Sequence, residues 1–111
     1  MARLLPLPPD AIARSPVGLR LRQLRMQAGL SQAELGIRIG IHPDVASSRM
    51  NQYERGGKEP AFSIVRLIAR ELGVPAAFFY AESDALAELI RGFAEPEAHP
   101  ARARRGKTAK G

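Results

Sequence analysis

The chain has 111 residues, which is enough sequence for one domain and argues against most self-contained enzymes. Hydrophobic residues make up 45% of the chain but aromatic residues only 5%, so Leu, Ile, Val and Ala must build the core, and these residue types favour helices. The net charge of +6 favours a polyanionic partner, and the absence of Cys excludes disulfides, thiol catalysis and thiolate zinc sites.

No targeting, membrane or metal signal stands out in the chain. The opening MARLLPLPPD is broken by three prolines and lacks the continuous apolar stretch of a secretion signal. No apolar run approaches the roughly 18 residues that a membrane helix needs, and the two His are too far apart in sequence to suggest a metal site. We therefore expect a cytoplasmic protein without a metal, a cofactor or a membrane span.

The two ends of the chain differ in composition from its middle. Residues 1–15 are rich in Pro and show no apolar period, which predicts a flexible N-terminal arm. Residues 95–111 carry five basic and two acidic residues, a net charge of +3, which predicts a disordered basic tail. The folded part is therefore expected to span about residues 16–94.

The first predicted helix covers about residues 16–28. Ser15 is a candidate N-cap before Pro16, and Gly29 suits the residue that follows a helix. The predicted apolar face consists of Val17, Leu21, Leu24 and Ala28. Arg20 is expected on one of the polar faces.

The second predicted helix begins with the sequence SQAE. Ser31 and Glu34 have the spacing of a capping box, in which each side chain binds the other residue's backbone amide. The helix is expected to bury Leu35 and Ile39 and to stop at Gly40, so it is too short to be stable alone.

The third predicted helix runs from about Asp44, a candidate N-cap, to residue 54. Met50 and Tyr53 are expected to point inward, and Gly56 and Gly57 follow the end of the helix.

Three further helices are predicted beyond Pro60. The fourth covers 61–72, a short fifth covers the sequence AAFFY, and the sixth covers about 83–93. The apolar stripe of the sixth helix consists of Leu86, Leu89, Ile90 and Phe93. It suits either the core of one chain or a twofold dimer seam, and the sequence leaves both open. The predicted fold is an all-α bundle of five to six helices.

Two stretches of this pattern are specific to one family. The sequences LRQLRMQAGLSQAELGIRIG and MNQYERGGKEPAFSIVRLIARELGV closely resemble the phage repressor and Cro family of bacterial transcriptional regulators, also called the xenobiotic response element family. The resemblance covers about residues 18–80. It implies a lambda-repressor-like helix-turn-helix domain over 16–80. The sixth predicted helix lies beyond that unit and makes 81–94 an additional C-terminal helix. The resemblance also implies that the third helix enters the major groove of double-stranded DNA.

The resemblance assigns roles to several residues outside the third helix. It implies that Gln32 holds a DNA phosphate and that Arg25 and Glu54 form a structural ion pair. Gly36 stands where the family commonly has Ala, at a close crossing of the second and third helices. We expect this glycine to cost about 1 kcal/mol in helix propensity.

The chain departs from the family pattern between Gly40 and Met50, where it has four extra residues. Four residues are about one helical turn. Either the third helix gains a turn at its start or the preceding loop is longer, and this choice decides where base reading begins.

The third helix and the loop after it carry the predicted DNA contacts. With Met50 and Tyr53 inward, the polar residues expected to read bases are Ser47, Ser48, Arg49, Asn51 and Gln52. Arg49 and Gln52 look best placed among them. Arg55 and Lys58 are expected to contact phosphates.

The sequence therefore predicts a homodimeric, DNA-binding transcriptional regulator that acts as a repressor. The alternative is an antitoxin that binds its own promoter and neutralises a toxin protein through the sixth helix or the tail. An enzyme is not expected, because His42, Asp44 and Ser47 crowd one short stretch without an oxyanion donor pattern.

Overall fold

Every regular element in the computed structural model, which describes residues 15–93, is helical. The elements are α1 Val17–Gln27, α2 Gln32–Arg38, α3 Pro43–Arg55, α4 Phe62–Leu72, a 3₁₀ helix Ala76–Tyr80 and α5 Asp84–Arg91. This confirms the all-α prediction, with the short AAFFY helix taking the tighter 3₁₀ form. The predicted tail and all but the last residue of the predicted arm lie outside the described residues.

Local capping chemistry sets the ends of the helices. The predicted capping box is present at α2: the Ser31 hydroxyl accepts from the Glu34 amide at 2.9 Å, and the Glu34 carboxylate accepts from the Ser31 amide at 2.8 Å. Gly56 and Gly73 follow α3 and α4 with φ of 80° and 75°, the left-handed conformation in which a Cβ is unfavourable.

The four extra residues lengthen α3 rather than the loop. The helix starts at Pro43, whose fixed φ suits a first helical position, so only residues 39–42 separate α3 from α2. The predicted cap at Asp44 is wrong. His42 is the N-cap, and its Nδ1 accepts from the Asp44 amide at 3.1 Å.

The core lies between α1, α2, α3, α4 and the 3₁₀ helix. Its largest fully buried side chains are Val17, Leu21, Leu35, Met50, Val65, Ile68 and Phe79. Phe78 and Phe79 pack edge to face, with ring centroids 5.3 Å apart. Of the predicted α1 stripe only Ala28 is exposed, because it follows the last residue of the helix.

Arg20 is buried, contrary to the expectation that it lies on a polar face. Its side chain retains only 4% exposure because the 3₁₀ helix and the start of α5 cover it. Nε donates to the carbonyl of Ala81 at 3.1 Å, and Nη1 donates to Gln23 at 3.2 Å and Asp84 at 2.7 Å. These hydrogen bonds replace the water that the buried guanidinium has lost.

The apolar stripe of α5 does not fill the core of this chain. Ala87 is buried and Ile90 half-buried, whereas Leu86, Leu89 and Phe93 remain 45%, 73% and 63% exposed. The sequence left open whether this stripe fills the core or forms a dimer seam. Only one side of this short helix contributes to the core.

Candidate nucleic-acid interface

The crossing of α2 and α3 is closer than an alanine allows. A Cβ placed on Gly36 would lie 2.9 Å from the Cβ of Ala46 and 3.1 Å from Cγ of Met50. Real Cβ contacts almost never fall below 3.0 Å, so the contact with Ala46 is too short. The glycine is therefore a packing requirement in this chain, not only a small cost in helix propensity.

A second close contact brings α1 against the end of α3. A Cβ on Gly18 would lie 2.6 Å from the carbonyl oxygens of Tyr53 and Glu54. This role of Gly18 was not predicted from the sequence. The available signal was a glycine inside a predicted helix, where it costs stability unless another backbone approaches closely.

Arg25 and Glu54 are paired in the structure. Arg25 Nε and Nη2 donate to the two carboxylate oxygens of Glu54 at 2.5 and 3.1 Å, while Nη1 donates to the Leu30 carbonyl at 2.8 Å. The side chain of Glu54 is only 2% exposed. These bonds join three parts of the fold: α1, the loop that precedes α2, and α3. The unit is rigid because both charged groups have lost most of their contact with water and depend on each other for hydrogen bonds.

Gln32, predicted to hold a phosphate, makes two bonds inside the protein. Its Nε2 donates to Glu54 Oε1 at 3.0 Å and to Asn51 Oδ1 at 3.3 Å. A side-chain amide has two N–H donors, so both are used.

The family of the chain follows from its comparison with known proteins. A family model described as a helix-turn-helix domain matches residues 16–77, which is more than half of the chain. The chain belongs to this helix-turn-helix family.

Two groups of relatives extend that result. The HTH-type transcriptional regulator RamB of Mycobacterium tuberculosis is 35% identical over 73 residues, which are 66% of this chain and only 15% of RamB. The crystal structure of the transcriptional regulator BswR is 38% identical, covers 85% of this chain and 98% of its own, and superposes with a TM-score of 0.66. They support the predicted resemblance to phage repressor and Cro-type regulators.

A more distant structure shares the fold. The hypothetical transcription factor NHTF from Neisseria is 24% identical, covers 79% of this chain and 97% of its own, and superposes with a TM-score of 0.59. The likeness is one of architecture, and it indicates that the five-helix arrangement tolerates large changes of sequence.

The predicted base-reading residues fall on two sides of α3, the third helix of the domain. Its buried stripe is Ala46, Met50 and Tyr53. Asn51 and the exposed Ser47 lie on the side facing α2, and Ser48 is exposed opposite the stripe. Together these residues form a polar surface beside the start of α2.

Arg49 and Gln52 lie on the other side of α3. Arg49 is half-buried because it sits three residues after Ala46 and four before Tyr53, and such spacings place residues side by side on a helix. Gln52 is exposed next to it. These two residues, which the sequence favoured, are thus farther from α2 than Ser47 and Asn51 are.

The helix-turn-helix domain also carries basic side chains at the edge of this surface. Arg55 and Lys58 are exposed in and after the last turn of α3. The amides of Gly57 and Lys58 donate to the carbonyl of Gln52 at 2.9 and 3.3 Å, so they close the helix. The side chains, not these amides, are therefore the groups available to a phosphate.

A groove of about 540 Å³ runs between α1 and α3 in the helix-turn-helix domain. Arg22 lines it from α1, and Arg55, Asn51 and Gln32 line it from α3 and α2. Arg22 was not predicted from the sequence, because one exposed Arg on a helix face gives no specific signal. Its position adds a positive charge on the side of the domain where Arg55 lies.

His42, Asp44 and Ser47 do not form a catalytic arrangement in the structure. The Nδ1 atom of His42 is used as a helix cap, and all three side chains are exposed. Among residues 15–93 no group of three or more His, Asp or Glu could hold a metal ion. Within the same part of the chain, no helix is long and apolar enough to cross a membrane.

Proposed function

We propose that this helix-turn-helix domain is a sequence-specific repressor that binds an operator as a homodimer and blocks transcription by occupying the promoter. The observation that carries the proposal is the polar surface of α3, Ser47, Ser48 and Asn51, presented beside the start of α2. An α-helix fits the major groove, and hydroxyl and amide groups suit its base edges.

The charges around this surface support DNA as the partner. Arg22, Arg55 and Lys58 border it with exposed side chains, and each can neutralise a phosphate. RamB and BswR, to which the chain is similar, are transcriptional regulators by name. We expect no catalytic turnover.

A homodimer is supported by the exposed stripe of α5. Leu89 and Phe93 project from the helix and, together with Pro75, Ala77 and Ile90, line an apolar groove of about 220 Å³. A patch that contains both projecting side chains and a groove can pair with a copy of itself about a twofold axis.

The same stripe is the observation that favours the second candidate, an antitoxin. In that case the apolar surface of α5 would bind a toxin protein instead of a second copy. A toxin that copurifies with the chain in a fixed ratio would favour this function, and a homodimer that binds DNA on its own would favour the repressor.

The proposed function is tested by fluorescence anisotropy on the DNA upstream of the gene and on a scrambled duplex. We expect preference for the upstream DNA, with affinity falling about 10³- to 10⁵-fold between 50 and 200 mM salt if ~6 to 10 phosphates are contacted. Two half-sites should be centred about 34 Å apart.

Variants separate the two sides of α3. Ser48→Ala combined with Asn51→Ala should abolish the preference, whereas Arg66→Ala on the exposed side of α4 should leave it intact. Arg49→Ala combined with Gln52→Ala tests the other side. Equal binding of the wild-type chain to upstream, scrambled and genomic-library duplexes would overturn the proposal of a sequence-specific repressor.

A further inference from the structure

In the hydrogen bond between Gln32 and Asn51, the surroundings decide which side chain donates and which accepts. Gln32 Nε2 lies 3.0 Å from Glu54 Oε1 and 3.3 Å from Asn51 Oδ1, and each of these oxygens accepts one of its two N–H bonds. The opposite amide orientation would place the Gln32 oxygen against the carboxylate, where two acceptors repel. The charge of Glu54 therefore sets the orientation of Gln32.

The orientation of Glu54 is set in turn by Arg25. The guanidinium holds both carboxylate oxygens, and 98% of the Glu54 side chain is shielded from solvent. A bidentate pair of this kind keeps its geometry because both partners would lose their bonds together. A series of hydrogen bonds thus runs from Arg25 through Glu54 and Gln32 to Asn51, and the ion pair at its beginning is rigid.

Asn51, the last residue in this series of contacts, belongs to the proposed DNA-binding surface. Asn51 uses Oδ1 for Gln32, and its Nδ2 has no hydrogen-bond partner within residues 15–93. Asn51 is half-buried on α3 and lines the groove shared with Arg22 and Arg55. Its side chain therefore turns an NH₂ group, with two donors and no acceptor, away from the protein.

We propose that Gln32 is a positioning residue that holds the amide oxygen of Asn51 on the protein side and so turns its NH₂ group towards the DNA, where Asn51 reads a base edge made of acceptors. This inference rests on the proposed function. Guanine presents two acceptors, N7 and O6, in the major groove, whereas the paired contact of an Asn with adenine needs an amide oxygen as well as an NH₂. Asn51 is thus expected to select guanine over adenine at its position.

The proposal changes the role that the family resemblance implies for Gln32. A side chain whose two donors are occupied inside the protein has no donor left for a phosphate oxygen. Loss of a phosphate contact weakens binding to every sequence equally, whereas loss of a positioning contact changes the preference at one base pair.

The experiment measures the affinity of the full chain for operator duplexes that carry each of the four base pairs at each position. Asn51→Ala should reduce the preference for guanine over adenine at one position by about tenfold or more. Gln32→Ala should reduce the preference at that same position and leave the others unchanged. The double variant should match Asn51→Ala, because Gln32 acts through Asn51.

Gln52→Ala provides the matched control, since Gln52 lies on the opposite side of α3. Its effect should add to that of Gln32→Ala. A uniform loss of affinity in Gln32→Ala, with a salt dependence reduced by about one phosphate contact, would overturn the proposal and assign Gln32 to the backbone. If the wild-type chain discriminates no duplex at all, the proposed function fails and this inference fails with it.

A measurement on the unmodified chain keeps the proposal testable if Gln32→Ala fails to fold. In ¹⁵N spectra of the free protein, the side-chain NH₂ groups of Gln32 and Asn51 should both be rigid, and only the Gln32 protons should be protected from exchange with water. A freely rotating Asn51 amide would overturn the proposal.

Discussion

Glu54 receives three hydrogen bonds, two from Arg25 and one from Gln32, and nearly all of its side chain is buried. A carboxylate in such a site is stable only while donors replace the water it has lost. The contrast within this chain is the pair of Arg38 and Glu71, whose 3.2 Å contact joins an Arg that is 51% exposed. The two pairs differ both in burial and in the number of hydrogen bonds, and both differences give the pair of Arg25 and Glu54 the larger energetic weight.

Arg25→Ala should lower the free energy of unfolding by about 3 to 5 kcal/mol, because Glu54 would keep a buried charge with Gln32 as its remaining partner. Arg38→Ala is the matched control and should cost about 0 to 1 kcal/mol, since water screens the exposed pair. Urea denaturation followed by circular dichroism measures both. Equal losses in the two variants would contradict the assignment of Glu54 as a buried, structurally paired charge.

At the scale of elements, α2 depends on its surroundings. It has seven residues, fewer than an isolated helix needs in water, and it is held by its capping box and by the close crossing with α3. Gly36 permits that crossing, and Ser31 with Glu34 satisfies the first amides. The helical structure of α2 therefore depends on packing against α3 and on its capping box together.

Gly36→Ala should destabilise the fold. Overpacking at the 2.9 Å contact with Ala46 costs about 1 to 3 kcal/mol, which exceeds the gain of about 0.5 to 1 kcal/mol in helix propensity. Combining it with Ala46→Gly removes the facing Cβ and should give a stabilising interaction energy in a double-mutant cycle. Strictly additive losses in thermal unfolding would show that the two helices do not meet at these atoms.

The capping box should make stability depend on pH. The hydrogen bonds from Ser31 lower the pKa of Glu34 below its ordinary value of 4.5. A lowered folded-state pKa adds stability above the unfolded value, and this is lost as the pH falls through the folded value. Between pH 6 and 3, Glu34→Gln should lose less stability than the wild-type chain. Identical profiles of stability against pH for the two proteins would show that the ionised Glu34 carboxylate does not stabilise the start of α2.

At the scale of the whole molecule, Arg20 connects the two ends of the described chain. It lies on α1, and its guanidinium binds the carbonyl of Ala81 and the carboxylate of Asp84 at the start of α5. Asp84 itself is mostly exposed, so the buried member of the pair is the arginine. Through these bonds α5 is placed against α1, with its apolar stripe facing solvent.

Arg20→Ala should release α5 from the rest of the fold. The Ala81 carbonyl would lose its donor, a cost of about 1 to 3 kcal/mol, and the arginine stem would leave a gap. Hydrogen exchange should show faster exchange of the α5 amides with little change in α3. Arg91→Ala, which removes only a surface contact with Glu88, is the control and should leave α5 protected. Loss of protection throughout the chain would instead make Arg20 a determinant of the whole fold.

The exposed stripe of α5 gives the prediction for assembly. Leu89→Ser should shift sedimentation from dimer towards monomer, because it places a hydroxyl in the proposed apolar seam. Leu67→Ser, at a partly exposed position of α4, should leave the dimer intact. Operator affinity should fall with dimerisation, since both half-sites must be bound together. A wild-type chain that sediments as a monomer at all concentrations would refute the seam.

The sequence by itself determined the features that depend on near neighbours in the chain. The capping box of Ser31 and Glu34, the stops after α3 and α4 and the inward Met50 and Tyr53 all follow from spacings of a few residues. These features are predictable because helix hydrogen bonds and side-chain neighbours reach only three or four residues along the chain. The family resemblance supplied the arrangement of the helices and the pairing partners Arg25 and Glu54.

Only the tertiary structure decided which side chains are covered and which way they face. The burial of Arg20 depends on residues more than 60 positions later in the chain, and the exposure of Leu89 depends on the absence of a covering element within residues 15–93. The direction of Asn51 follows from contacts among three helices. A periodic pattern gives a side chain its face on a helix, but burial and hydrogen-bond direction arise only when other elements pack against that face.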